Sequence, residues 1–481
     1  KTTMDKKLSP NLLQSSKNLF SFNNLADKFN YKGLEFLKKD DYENAITCFF
    51  QSLDYDQNYS HAYSNIGNAL LKKGNIDEAV KMFEDAIKLD KNNSIYHFNL
   101  GVALTQCNDH EGAAKAYKEC LKIEPRNKLA IKFLGNCFKN LKMFPEALKT
   151  YKKLEKLDPK NPEAAFLQSK IHIRNGRFNL GWKMYEHGLK NNIRKPFNGY
   201  YNETKTLWDG KPFDGTLLIY GEQGLGDQIN FGTLLKDLLN VKQDVIVKVD
   251  ERLKEIFSNT YPEIRVYGED DIVPTKDYEK YISLASLCKF FRAHTDDFTN
   301  TQFTNYVIGK TENPYINDFF NKISGFKIGI SWHSFSTLNG ETRSLNTDQL
   351  SKIIKCRNVN FINIQYGNVL KQIKEVKLLS GNEILKIPFT DITRDINSLA
   401  SIIKKCDLII SIDNSTAHLS ASLGHPTWVL LPYSADFRWM EEITPAIWYK
   451  NTTLIRQEKE NDWNSVVDLV CNAIDNSELN K

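Results

Sequence analysis

A 34-residue register runs through the first half of the chain and constrains it more than any other feature. Gly33, Gly67, Gly101 and Gly135 stand one step apart, as do Ala45, Ala79, Ala113 and Ala147, and the aromatics Phe49, Phe83, Tyr117 and Tyr151. Pro125 and Pro159 close the third and fourth units. Several columns in one register mark a stacked repeat. A unit of this length cannot bury its apolar face alone, so units stack into an extended array. The small Gly and Ala columns let two helices of a unit approach, and the aromatic is expected to fill the gap to the next unit. A fifth, degenerate unit, "NGRFNLGWKMYEHGL" at 175–189, keeps Gly176 and Tyr185 in register and carries Gly181 in the Ala column. As a terminal unit it is expected to cap the stack and dock the next domain.

The pattern resembles the tetratricopeptide repeat, two antiparallel helices per unit wound into a superhelix with a concave groove. The resemblance implies protein or peptide binding, with a rigid spacer or dimer interface as the plainer alternative. Asp54-Tyr55-Asp56 has the D-x-D form of some metal-dependent glycosyltransferases. It falls in the turn between repeats, where a solvated turn is the better reading.

With 481 residues the chain is too long for one core, and 41% hydrophobic against 26% charged residues is an ordinary globular composition. A formal charge of +5 is no nucleic-acid footprint at this length. The eight cysteines lack C-x-x-C spacing and stand in apolar contexts, which predicts buried, reduced thiols. No apolar run reaches the roughly 18 residues of a membrane span. "KTTMDKKLSPNLLQ" lacks the apolar core of a signal peptide, so a cytoplasmic location is expected.

The second half alternates strands and helices. "TLLIY" at 216–220 runs into "GEQGLGD" and the helical "QINFGTLLKDLL"; "DVIVKV" and "IRVYG" read as further strands. A second series begins at "KIGISW", 327–332, and continues through "NFINIQY", "DLIISI" and "TWVLLP" with helices between them. Such alternation predicts two parallel sheets with covered faces and a cleft between them, ligands binding at the carboxyl ends of the strands. The helical pattern at 461–476, capped at Asn461, is expected to cross back to the first lobe.

Three clusters fall at strand ends. "ISIDNSTAHLSASLG" delivers Asp413 to a strand end, then offers Asn414, Ser415 and Thr416 as caps, and His418 two residues into the helix. A helix N-terminus offers free N–H groups and suits a diphosphate; Ser415, Thr416 and His418 add donors, and Asp413 suits sugar or ribose hydroxyls. The bland alternatives are a plain N-cap and a core histidine. "GEQGLGD" brings Gly224, Gly226 and Asp227 to the start of another helix. Its glycines permit close approach of a ligand, and Asp227 is either a cap or a general base facing the cleft. "SWHSFSTLNGETRS" supplies Ser331, Ser334, Ser336 and the cation Arg343. Asp436 and Arg438 of "PYSADFRWMEE" emerge near the same cleft, and ribose and base contacts are expected near Gln365 and 391–398.

Taken together, "GEQGLGDQINF", "IGISWHS", "INIQYG", "CDLIISIDNSTAHLSASLGHPTWVLLP", "DFRW" and "WYKNTTLIRQ" resemble bacterial tetratricopeptide-repeat glycosyltransferases whose catalytic half is similar to the heptosyltransferases, glycosyltransferase family 9. The layout also resembles the O-GlcNAc transferases. The resemblance implies a GT-B fold of two Rossmann-like lobes and inverting sugar transfer from a nucleotide-sugar without a bound metal or cofactor. It implies Asp227 as base, and Gly224, Gly226, Ser331, Arg343, Gln365, Asp413, Asn414, Ser415, Thr416 and His418 as donor contacts. Heptosyltransferases use Lys as the diphosphate cation; here Arg343 stands nearby, with His333 at a position often basic in the repeat-containing relatives. The expected organisation is a leading segment (1–25), repeats (26–190), linker (191–213), acceptor-side lobe (214–324), nucleotide-sugar lobe (325–460) and terminal helix and tail (461–481). The expected partners are the nucleotide-sugar and a protein, peptide or glycan acceptor recruited by the repeats, with oligomerisation possible and neither nucleic acid nor membrane insertion. The alternative is a non-catalytic scaffold with an inactive α/β half.

Overall fold

The computed structural model describes residues 25–194, 205–299, 305–309, 313–336, 340–441 and 446–476. The expected leading segment, apart from Leu25, lies outside these residues, as do Pro196 and Gly199 of the expected linker and positions 337–339 of the serine-rich cluster. The chain forms two compact units divided between Pro159 and Lys160.

The first unit is helical: α1 (Leu25–Leu37), α2 (Tyr42–Tyr55), α3 (Ser60–Lys73), α4 (Ile76–Leu89), α5 (Ser94–Gln106), α6 (His110–Ile123), α7 (Lys128–Asn140) and α8 (Phe144–Leu157). Asp41, Asn93, Asp109 and Asn127 cap helices with side-chain oxygens that accept backbone N–H groups. The glycine column has a concrete cause. A Cβ at Gly33, Gly67, Gly101 or Gly135 would lie 2.4–2.7 Å from the ring of Phe49, Phe83, Tyr117 or Tyr151 respectively. Each ring therefore seats on the glycine of its own unit, and Tyr117 also stacks on Phe133 of the next unit at 5.8 Å, as expected of a ring filling that gap. The Ala column is fully buried. Asp54 and Asp56 flank an exposed Tyr55 at the end of α2, and Asp56 accepts the Asn58 N–H at 2.9 Å, an ordinary helix-end turn.

The second unit opens with the degenerate repeat, α9 (Glu163–Arg174) and α10 (Phe178–Tyr185). Ser169, fully buried, takes the glycine column here, while Gly176 ends α9 in the left-handed region at φ +74°. Eleven strands follow among the described residues: β1 (Thr206–Leu207), β2 (Thr216–Tyr220), β3 (Asp244–Lys248), β4 (Arg265–Tyr267), β5 (Lys280–Ser283), β6 (Phe326–Ser331), β7 (Val359–Asn363), β8 (Ile384–Leu385), β9 (Leu408–Ile412), β10 (Thr427–Leu431) and β11 (Thr452–Arg456). They make two wholly parallel sheets, ordered β1-β5-β2-β3-β4 and β11-β10-β9-β6-β7-β8. The second is doubly wound, with strand order 3-2-1-4-5-6 and a switch point between β6 and β9.

Part of the expected linker belongs to the fold. β1 pairs with β5, Trp208 is buried, and Arg194 is fully buried against Glu222. The degenerate repeat docks as expected: Trp182 packs on Phe231, Phe437 and Trp448 and donates its indole N–H to Arg292 O at 2.8 Å. The terminal helix Trp463–Asn476 packs on the second sheet, with Val466, Val467 and Val470 among Ile328, Leu350 and Ile354. Its cap is Asp462, which accepts the Ser465 N–H at 3.1 Å, so both the expected crossing and the Asn461 cap are corrected. The segment that does reach the first lobe is 446–449, through Trp448 and Tyr449. Cys107 is exposed and Cys471 half-buried; the other six thiols are buried.

Candidate functional site

The switch point of the second sheet is tied by a buried polar network. Gln365, just past β7, accepts from Ser331 Oγ (3.1 Å), Trp332 N (2.8 Å) and His333 N (2.7 Å), and donates to His333 O and Tyr366 O. Its amide is saturated. Asn414, at the end of β9, donates to Ser331 Oγ at 2.8 Å and accepts from Ser411 Oγ, Thr416 N and Ala417 N. The three strand ends are thereby locked to one another. Ser331, Gln365 and Asn414, expected to touch a donor, hold these loops together.

The helix Ser415–Ser422 starts at this knot. Asn414 is its cap, which occupies two of the N–H groups an anion would use. The half-buried Ser415 is left as the accessible hydroxyl, and the Thr416 Oγ1 is buried without a hydrogen-bond partner among the described residues. Asp413 is nearly buried; one carboxylate oxygen accepts the Trp439 indole N–H at 2.8 Å and the other faces Arg343 at 3.5 Å. Arg343 also donates to the Asp413 carbonyl at 3.2 Å, which directs it toward this strand end. His418 lies stacked on Trp439 at 4.8 Å with its Nδ1 2.8 Å from the Tyr449 hydroxyl. That hydroxyl also accepts from Asn230 at 2.7 Å, which ties His418 to the first lobe through Tyr449. Burial lowers the His418 pKa to about 4, with Asp413 acting to raise it and Arg343 to lower it, so the ring is neutral at pH 7.

The first lobe meets this terminus directly. Helix α11 (Leu225–Gly232) begins at Gly224, whose N–H donates to Asp227 Oδ2 at 3.1 Å. A Cβ at Gly226 would lie 3.2 Å from His418 Cδ2 and 3.3 Å from Ser415 Cα. Gly226 thus admits the other lobe's helix, where the sequence suggested a ligand. The residue with the unusual backbone is Gln223, at φ +63°, one position before Gly224. Asp227 is both the helix-start cap and the ion-pair partner of Arg438, which also pairs with Asp436. Burial and the Asp413 charge raise the Asp436 pKa, while burial lowers that of Arg438. The site therefore gathers Asp227, Asp413 and Asp436 with Arg343 and Arg438.

Beside it, at the ends of β7 and β8, lies a pocket of about 250 Å³ lined by Asn363, Gln365, Gly367, Lys386, Asp391 and Thr393 among others. The expected base and ribose region falls here. Sequence reading missed Trp439 and Tyr449, the partners of Asp413 and His418. No group of three or more His, Cys, Asp or Glu side chains among the described residues is placed to hold a metal, and no described helix is long and apolar enough to cross a membrane.

Comparison with known families agrees with the first half of this architecture. Family profiles described as "TPR repeat" and "Tetratricopeptide repeat" match residues 33–74, 64–127 and 104–171. These residues are tetratricopeptide repeats. Protein FlbA of Caulobacter vibrioides is 24% identical over 336 residues, covering 64% of this chain; the chain spans about half, 54%, of that relative's length. Among solved structures, MamA from Desulfovibrio magneticus is similar at 18% identity, with 35% of this chain and 93% of that chain covered and a TM-score of 0.32. YrrB, titled a TPR protein with an unusual peptide-binding site, is similar at 20% identity, with 34% and 84% covered and a TM-score of 0.32.

Proposed function

We propose that the chain is a glycosyltransferase of GT-B type, moving a sugar from a nucleotide-sugar to a protein or glycan acceptor recruited by its repeats. The observation that carries this reading is a juxtaposition. The switch point of a doubly wound sheet, where such folds bind ligands, carries Ser415, Thr416 and Arg343, and its Ser415 and His418 abut Gly226 at the helix start of the facing lobe. Attack on an anomeric carbon needs a base at the acceptor hydroxyl and positive charge on the departing diphosphate. Asp227 is the candidate base, and Arg343 and Arg438 are the candidate cations. Asp227 must first shed Arg438, and an arriving diphosphate competes for that guanidinium. Nucleobase and ribose are assigned to the pocket lined by Gln365, while Ser331 and Asn414 hold the loops that shape it.

Thermal-shift titration of the full chain with UDP, GDP, ADP and CMP, with and without EDTA, tests the donor site. At 100 times its dissociation constant a ligand stabilises the folded state by about 2.7 kcal/mol. One nucleotide is expected to raise the midpoint whether or not EDTA is present, and a flat panel sinks the reading. Asp227→Asn is expected to keep nucleotide binding and to lose about 10²–10⁴ in transfer rate; wild-type turnover would remove the base. The scaffold alternative draws on one observation: Gly226 and the Asn414 cap already fill the helix terminus with protein.

A further inference from the structure

The first helix of the degenerate repeat, α9, carries a lysine whose ammonium meets no hydrogen-bond acceptor among the described residues. Arg174 fastens α9 to the loop after β10, pairing with Glu441 and donating to Ser434 Oγ at 3.0 Å. Lys170 lies one turn earlier on the same face. Its ammonium stands 4.7 Å from the Phe166 ring centre and 6.0 Å from that of Phe437, next to Arg438 in sequence. An ammonium has three protons to donate; among the described residues no hydrogen bond or ion pair takes them. Burial lowers the Lys170 pKa; Asp436 opposes this, while Arg438 and Arg194 add to it. Asp436, though, is already committed to Arg438, accepting its N–H at 3.1 Å and pairing with its guanidinium. Lys170 is half-buried, and its ammonium, held over two rings beside Asp436 and Arg438, is open to an arriving anion.

We infer that Lys170 is a phosphate-binding residue of the candidate site, and that its ligand is the diphosphate of the nucleotide donor. The inference rests on the donor reading above. It makes the last repeat a working part of the α/β unit. A third cation, beside Arg343 and Arg438, then comes from outside both lobes.

The test compares full-length wild type, Lys170→Met and Lys170→Arg, each first checked for an unchanged ligand-free melting midpoint. Probes are UDP, GDP, ADP and CMP, the matching nucleosides, and inorganic pyrophosphate. For the nucleotide that wild type prefers, Lys170→Met is expected to bind about tenfold to a hundredfold more weakly. The matching nucleoside is expected to bind both proteins equally, and Lys170→Arg to recover most of the loss. Equal nucleotide affinity in wild type and Lys170→Met, or an equal loss for the nucleoside, overturns the assignment. If wild type binds no nucleotide, the donor reading falls by itself and pyrophosphate decides. Stabilisation by pyrophosphate that vanishes in Lys170→Met upholds the anion site, and its absence in wild type overturns it.

Discussion

The side chains around Asp413 show how far residue type alone carries an argument. The stretch Asn414–Thr416 offers three capping residues, and the sequence cannot say which one caps. Asn414 does, because its amide also reaches Ser331 on β6, a contact set by sheet pairing 83 residues away. Gln365 is the same case: a polar residue at a strand end reads as a ligand contact, and its five hydrogen bonds to neighbouring loops are set by strand pairing that no local pattern shows. The neutral His418 has a consequence in solution. Burial holds His418 and His425 down to about 4, from an ordinary 6.5. As pH falls through about 6.5 the unfolded chain takes up these protons while the folded unit refuses them until about 4. Stability is thus complete above that window and lost through it, by up to about 1.4 kcal/mol per pH unit for each histidine. Urea midpoints of the α/β unit measured between pH 7 and pH 5 should fall, and His418→Gln should flatten the slope. An unchanged slope in that variant would refute the assignment.

Among the elements, the repeats were the most legible, because periodicity exposes them without any long-range contact. The strands β2, β3, β6, β7, β9 and β10 were legible as apolar runs bounded by turn residues. β1 and β8 are two residues each, and β5 and β11 carry charged or polar positions, so nothing local marks them. What organises them is the neighbouring strand. The glycine column gives a sharp element-scale prediction. Gly135→Ala drives a Cβ to 2.4 Å from the Tyr151 ring and should cost about 1–3 kcal/mol of repeat-unit stability. Tyr151→Leu added to it should restore part of that loss, as read by urea denaturation. Strictly additive losses would mean that the ring and glycine do not share the contact.

For the whole molecule, the degenerate repeat is the piece that belongs to both halves, a repeat by pattern that docks on the α/β unit as expected. It has the helical pattern of the units before it, yet its residues complete the α/β unit. Tyr185 stacks under the Arg194 guanidinium at 4.4 Å, and Arg194 pairs with buried Glu222 beside Ser283 at the switch point of the first sheet. Removing one partner of a buried pair costs about 3–5 kcal/mol. A chain starting at Lys160 should therefore melt cooperatively, whereas one starting at Lys205 should not. Circular dichroism melts of the two decide, and equal cooperativity would return the repeat to its own half.

The tight seat of Gly226 against His418 and Ser415 finally bears on how affinity would be measured. If ligands enter only when the helices part, the observed dissociation constant is the intrinsic one divided by the open fraction. An opening cost of about 2.7 kcal/mol leaves about 1% of molecules receptive and weakens every measured constant about a hundredfold. A micromolar site would then register near 100 μM, and the ligand concentrations chosen for a screen would decide whether it is seen.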